Sequence, residues 1–149
     1  LVDAGALKFL KKGFSYSNKL IITPHPGEAA GLLNISTKDV QNDRYRAAKN
    51  LNEIYDCIVI LKGSGTVIYD GDSFFTCMDG NYRMAVAGMG DTLAGTILYE
   101  LSSQPNILDA CIKAVTYHSY SADYLMNIDK DLKYMPSMIP DVYNKLVNP

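Results

Sequence analysis

Cys57-Ile58-Val59-Ile60-Leu61 is a run without a polar side chain, and Lys62-Gly63-Ser64-Gly65 ends it abruptly. A strand with one wet face alternates apolar and polar residues, so a continuous apolar run points to a strand covered on both faces. Leu20-Ile21-Ile22 is a shorter strand of the same kind, broken by Thr23-Pro24-His25-Pro26-Gly27-Glu28. Leu1-Val2 reads as the end of another buried strand, running into a helix that carries Leu7, Phe9 and Leu10. Between these strands lie helical patterns, one through Ala29, Leu32 and Leu33 and one from Asn42 to Tyr55. Thr66–Tyr69 and Ser73–Cys77 flank Asp70-Gly71-Asp72 as a hairpin. Further helices are expected from Asp91 to about Ser102, from about Ile107 to Met126, and from near Ser137. Strands alternating with helices define an α/β fold with a largely parallel sheet and helices on both faces, in which ligands bind at the carboxyl ends of the strands.

A chain that opens in mid-strand reads as the later part of a domain whose N-terminal half lies elsewhere. An apolar sheet edge would then be left for that half to cover. At 149 residues, 48% of them hydrophobic, there is enough apolar surface for a real core. The formal charge of −2 offers no basic footprint for nucleic acid or an anionic membrane, and no apolar run is long enough to span a bilayer. Cys57, Cys77 and Cys111 are odd in number and lie in apolar or strand-like contexts, as buried thiols of a reducing, cytoplasmic protein do. With two histidines and no Cys-x-x-Cys, no structural zinc site is expected.

The chemistry concentrates between Gly80 and Gly95. Gly88 and Gly90 allow the backbone to turn its amides toward a ligand just before an amphipathic helix, whose free N–H groups and dipole favour an anion. Asp91 stands at that junction. A carboxylate beside a phosphate can take a proton from an attacking hydroxyl or help hold a metal; equally, Asp91 can simply cap the helix. Two other loops share the expected binding end of the sheet. Lys62, Gly63, Ser64, Gly65 and Thr66 combine a cation, small residues and a hydroxyl that suit a nucleotide, or form a plain turn with a solvated lysine. His25 sits between two prolines that stiffen its backbone, which fits a ligand contact or a structural role. His118 and Asp123 are too far round a helix to face each other and read as packing or surface residues. Tyr117, Tyr120 and Tyr124 read as a packed helix face.

Three motifs together carry a resemblance. Thr23-Pro24-His25-Pro26-Gly27-Glu28-Ala29, Leu61-Lys62-Gly63-Ser64-Gly65-Thr66 and Ala87-Gly88-Met89-Gly90-Asp91-Thr92-Leu93-Ala94-Gly95 resemble, in order and spacing, the ADP- or ATP-dependent NAD(P)H-hydrate dehydratases, which have a ribokinase-like fold. Val2-Asp3-Ala4 and the stretch from Tyr117 to Asp123 fit the same pattern, so the resemblance spans nearly the whole chain and roughly the C-terminal half of that domain. At one place the chain departs from it: Tyr82 and Arg83 stand where the family's segment reads closer to Gly-Asn-Pro-Gly-Met-Ala.

The resemblance implies repair of hydrated NADH or NADPH, in its S epimer. ADP or ATP phosphorylates the ring hydroxyl, and phosphate then leaves. In that scheme Asp91 is the catalytic base and contacts substrate. His25 contacts the hydrated dinucleotide. Lys62, Gly63, Ser64, Gly65 and Thr66, with Asn81, Met84, Ala85, Gly88, Met89 and Gly90, hold the nucleotide. Mg2+ is implied as a phosphate counter-ion without a protein cage. A half-domain would leave apolar faces uncovered, so the missing N-terminal half is expected as a partner, with homo-oligomer contacts adding further cover. A small-molecule kinase of the same fold, acting on hydroxymethyl vitamin precursors, would use the same glycine turn and Asp91. The residues are also compatible with a non-catalytic module that binds an adenine nucleotide, and with a purely structural fragment.

Overall fold

The computed structural model describes residues 1–14, 16, 20–133 and 135–148. The chain divides into two compact units, Leu1–Thr76 and Cys77–Pro149.

In the first unit, β1 (Ile21–Ile22), β2 (Ile58–Leu61), β3 (Thr66–Tyr69) and β4 (Phe74–Cys77) form one sheet in sequential order, the chain leaving the unit at the end of β4. β1 pairs parallel with β2, and Val2 forms a parallel bridge with Ile22, its amide donating to the Ile21 carbonyl at 2.8 Å. β2 and β3 are antiparallel. The apolar run of β2 has the environment its composition requires. Val59, Leu61, Val67, Tyr69 and Ile22 join the core formed with α1 (Pro26–Leu33) and α3 (Arg44–Tyr55), through Ala29, Ala30, Ala47, Ala48 and Leu51. Ile21, Ile60 and Ile68, which alternate to the opposite face, are no more than 2% exposed. The hairpin turn is held by Asp70, whose carboxylate accepts from the Asp72 and Ser73 amides at 3.0 and 2.8 Å.

Two expectations are revised here. The helix expected from Asn42 begins at Arg44, and a separate helix α2 (Thr37–Asn42) precedes it. Asp43 adopts a non-helical backbone, ends α2 and accepts from the Arg46 amide to cap α3. The start of α2 was legible: Ser36 and Asp39 exchange side-chain and backbone hydrogen bonds as a capping box. The opening helix is a 3₁₀ segment, Ala4–Phe9, in which Leu7 is buried and Phe9 exposed.

The second unit is helical: a 3₁₀ turn at Tyr82–Met84, then α4 (Met89–Ser103), α5 (Ile107–Ile128) and α6 (Met138–Val147). Met89, Ala122, Leu125, Ile139 and Val142 form a core in which Met84, Met126 and Leu146 also pack. Of the three tyrosines expected to form a packed face, only Tyr117 packs, edge-on to Tyr143 with ring centroids 6.1 Å apart. Tyr120 and Tyr124 stand exposed on this chain. All three cysteines are free and buried, and burial pushes the Cys57 and Cys111 thiols up to about 12. Among the described residues no helix is long and apolar enough to cross a membrane.

Candidate active site

In the first unit, the loops after β1 and β2 carry linked charged groups. His25 N-caps α1: its Nδ1 accepts from the Gly27 and Glu28 amides at 3.0 and 3.2 Å, while Glu28 returns a carboxylate to the His25 amide at 2.7 Å. Pro26 at the first helical position is pre-set for this turn. The Nδ1 face of the imidazole is therefore occupied by backbone, and Nε2 lies 3.5 Å from Glu28 on a side chain that is 56% exposed.

Lys62 is not the solvated lysine of a plain turn. Its ammonium is 2.7 Å from Asp3 and 3.9 Å from Glu28, and its amide donates to the Pro24 carbonyl at 2.9 Å. Burial raises the Asp3 carboxyl, but the Lys62 ammonium and the Ala4 amide outweigh it and hold the group below its ordinary value. The nearby Thr23 hydroxyl adds to that pull, although its oxygen has no hydrogen bond of normal geometry.

The loop from Lys62 to Thr66 is shaped from behind by Arg44. Its guanidinium donates to the carbonyls of Leu61 and Gly65 at 2.9 and 3.1 Å, and more weakly to that of Lys62 at 3.4 Å. Gly63 has φ +147, and a Cβ there would meet Arg44 Nη1 at 2.6 Å, so no other residue fits without displacing the guanidinium. Thr66 Oγ1 donates to the Gly63 carbonyl at 3.1 Å and Ser64 is exposed. Asp3 and Arg44 were missed as site residues; a lone Asp and an Arg at a helix start carry no local signal of a distant partner.

In the second unit, Gly88 takes the left-handed conformation (φ 87) and is the N-cap of α4. A Cβ at this position would lie 3.2 Å from Pro136. Thr92 closes the turn, with both its amide and its hydroxyl donating to the Gly88 carbonyl at 3.0 Å. The Met89 amide donates back to Val86 at 3.3 Å, whereas those of Gly88, Gly90 and Asp91 find no acceptor among the described residues. Amides without a described acceptor at the positive end of a 15-residue helix favour a negatively charged group nearby. Asp91 occupies the third position of α4. It is therefore not the N-cap, and no side-chain cap hydrogen bond forms at this helix start; its carboxylate is exposed and engages no described residue. Met84 and Met89 turn their side chains into the core, so only their backbone is available to a nucleotide, and Ala85 is exposed.

The reading of His118 and Asp123 as packing or surface residues is corrected in part. Asp123 accepts from the Gly80 amide at 2.7 Å and from Asn81 Nδ2 at 2.8 Å. His118 is 3% exposed, and its Nε2 has no partner among the described residues. Burial pushes its imidazole down to about 4, against the opposing pull of a backbone hydrogen bond to Met89. Because the folded value lies below the unfolded one of 6.5, the neutral ring's stability is fully present above pH 6.5 and lost as pH falls toward about 4. The loss expected from this shift is on the order of 3 kcal/mol. Urea midpoints of the whole protein at pH 7.5 and 4.5, compared with those of His118→Gln, measure it; an equal acid loss in both proteins would place the sensitivity elsewhere.

Comparison with known proteins gives the family and the fold. The model of the NAD(P)H-hydrate dehydratase family (Carb_kinase) matches residues 1–142. The chain is 44% identical over 121 residues to the bifunctional NAD(P)H-hydrate repair enzyme Nnr of Vibrio cholerae, covering 81% of this chain and 24% of that protein. The crystal structure of the ADP/ATP-dependent NAD(P)H-hydrate dehydratase of Bacillus subtilis, grown with ATP and Mg2+, superposes with a TM-score of 0.81 at 29% identity. It covers 96% of this chain, which spans 53% of that one. A ribokinase-like superfamily protein of Enterococcus faecalis gives a TM-score of 0.82 at 28% identity, over 97% of this chain and 50% of its own, and the fold is ribokinase-like. With a match that leaves out only the end of α6 and the last residues after it, the chain belongs to the NAD(P)H-hydrate dehydratase family.

Proposed function

We propose that the protein containing this chain restores NADH and NADPH from the S epimer of their hydrates, with ADP or ATP as phosphoryl donor, and that residues 1–149 form the C-terminal part of one ribokinase-like domain. Since the chain spans about half of the Bacillus protein, the activity is assigned to the whole protein and tested there. The observation that carries the reading is the start of α4, where no described group engages either the three amides or the carboxylate beside them.

In this scheme Asp91 takes the proton of the ring hydroxyl as its oxygen attacks the terminal phosphorus of the donor. The bond from that phosphorus to its bridging oxygen breaks, releasing AMP from ADP. The amides of Gly88, Gly90 and Asp91, with the α4 dipole, face the charge that builds on the transferring group. The ring nitrogen then expels phosphate, and loss of a proton from the neighbouring ring carbon restores the double bond. His25 is proposed to contact the hydrated dinucleotide through its exposed edge. Lys62, Gly63, Ser64, Gly65 and Thr66, with Asn81, Met84, Ala85, Met89 and Gly90, are proposed to hold the nucleotide. Magnesium would enter as the counter-ion of the phosphates, for which it commonly keeps water and phosphate oxygens as ligands. A homo-oligomer and a cytoplasmic setting belong to the same proposal, the latter supported by three buried free thiols.

The test is recovery of NADH absorbance from each epimer of its hydrate, run on the whole protein with ADP and with ATP. Regeneration from the S epimer, dependent on nucleotide, is the expected result. ADP binding with no turnover of either epimer would leave a binding module instead.

A further inference from the structure

We infer that Asp123, on α5, is a positioning residue for the phosphate-holding segment, acting through Gly80 and Asn81 without itself touching the nucleotide. The inference rests on the function proposed above.

The two carboxylate oxygens of Asp123 divide their work, one accepting from the Gly80 amide at 2.7 Å and the other from Asn81 Nδ2 at 2.8 Å. A carboxylate accepts only, so both bonds are charge-assisted and together fix the start of the segment on α5. The approach is close. Gly80 has φ +99, and a Cβ there would lie 2.9 Å from Met84 Sδ and 3.4 Å from Ser119 Cβ on α5.

Asn81 passes the constraint on. With its Nδ2 committed to Asp123, its Oδ1 faces the Arg83 amide at 3.1 Å and caps the 3₁₀ turn Tyr82–Met84. The carbonyls of Tyr82, Met84 and Val86 then accept in succession from Ala85, Val86 and Met89, which carries the turn to Gly88 and the unpaired amides. Arg83, one of the two residues where this chain departs from its family's pattern, braces the same segment from outside. Its guanidinium donates to the Leu132 carbonyl at 3.0 Å and to that of Lys130. The negative charge of Asp123 is thus spent on the backbone and side-chain amides of the segment, and the amides at its far end stay free for phosphate.

Asp123→Asn keeps the shape but presents an NH2 group to one of two donors, so one of the two bonds is lost. In the whole protein we expect the KM for ADP to rise about tenfold or more, the scale of one lost hydrogen bond to a charged group, with kcat within about threefold and the KM for the hydrate unchanged. A general loss of fold would move all three together. Should Asp123→Asn not fold, Asp123→Glu, which retains two acceptor oxygens on a longer arm, is expected to give a smaller rise with the same selectivity. An ADP KM within twofold of the parent's, or a fall in kcat alone, overturns the inference and leaves the proposed function standing. Failure of the parent protein to bind either ADP or ATP overturns both.

Discussion

Replacing Asp91 by Asn is expected to lower turnover of the hydrate on the order of a hundredfold or more, while ADP affinity stays within a few fold of the parent's. The carboxylate sits in the first turn of α4, exposed and engaged by no described residue, so its loss removes no structural bond. A carboxamide has the same size and cannot take a proton. It also relieves the repulsion between a carboxylate and the phosphates, so any change in ADP binding should be toward tighter binding. The measurement is kcat from recovered NADH absorbance alongside calorimetric ADP binding, both on the whole protein. A rate within tenfold of the parent's would sink the base assignment.

The second large effect is expected in the core of the helical unit, on stability. Glu100 of α4 is fully buried. Its Oε1 accepts from the Tyr143 hydroxyl of α6 at 2.5 Å, and the Lys113 ammonium of α5 lies 3.0 Å from Oε2, near enough to pair though not aligned as a hydrogen bond. Burial and the neighbouring carboxylate push the Tyr143 phenol well above its ordinary value, so it remains a donor at any working pH. Tyr143→Phe strips a buried carboxylate of its only aligned donor among the described residues and should cost about 2–3 kcal/mol in urea unfolding of the whole protein. Adding Glu100→Leu removes the stranded charge, and the double variant should be more stable than the sum of the two single losses. Strict additivity would show that the two groups do not depend on each other.

The anion turn, the His-Pro-Gly-Glu turn and the doubly buried strand were legible because each rests on local rules. Glycine alone tolerates the left-handed backbone at Gly88, a proline pre-sets the turn after His25, and an uninterrupted apolar run cannot lie against water. Element ends were less legible. Asp43 both ends α2 and begins α3, and composition gives no sign that one residue serves two helices.

By itself, then, the sequence determined most of the strands and helices, where the chain turns, and which residues are candidates to meet a phosphate, since these depend on neighbours a few positions away; α2 and the 3₁₀ form of the opening segment emerged only in the structure. Only the tertiary structure decided what those residues are tied to. Lys62 pairs with Asp3 across 59 positions, Arg44 braces a loop from 17 to 21 positions away, and Asp123 grips Gly80 across 43. Such contacts depend on the direction of a side chain leaving one element and the carbonyls or amides left unpaired on another, and neither is written in local spacing. The same physics moved Asp91 from a candidate cap to a carboxylate that no described residue engages: with Gly88 as N-cap, Asp91 stands three positions too late to fill that place, and it is exposed.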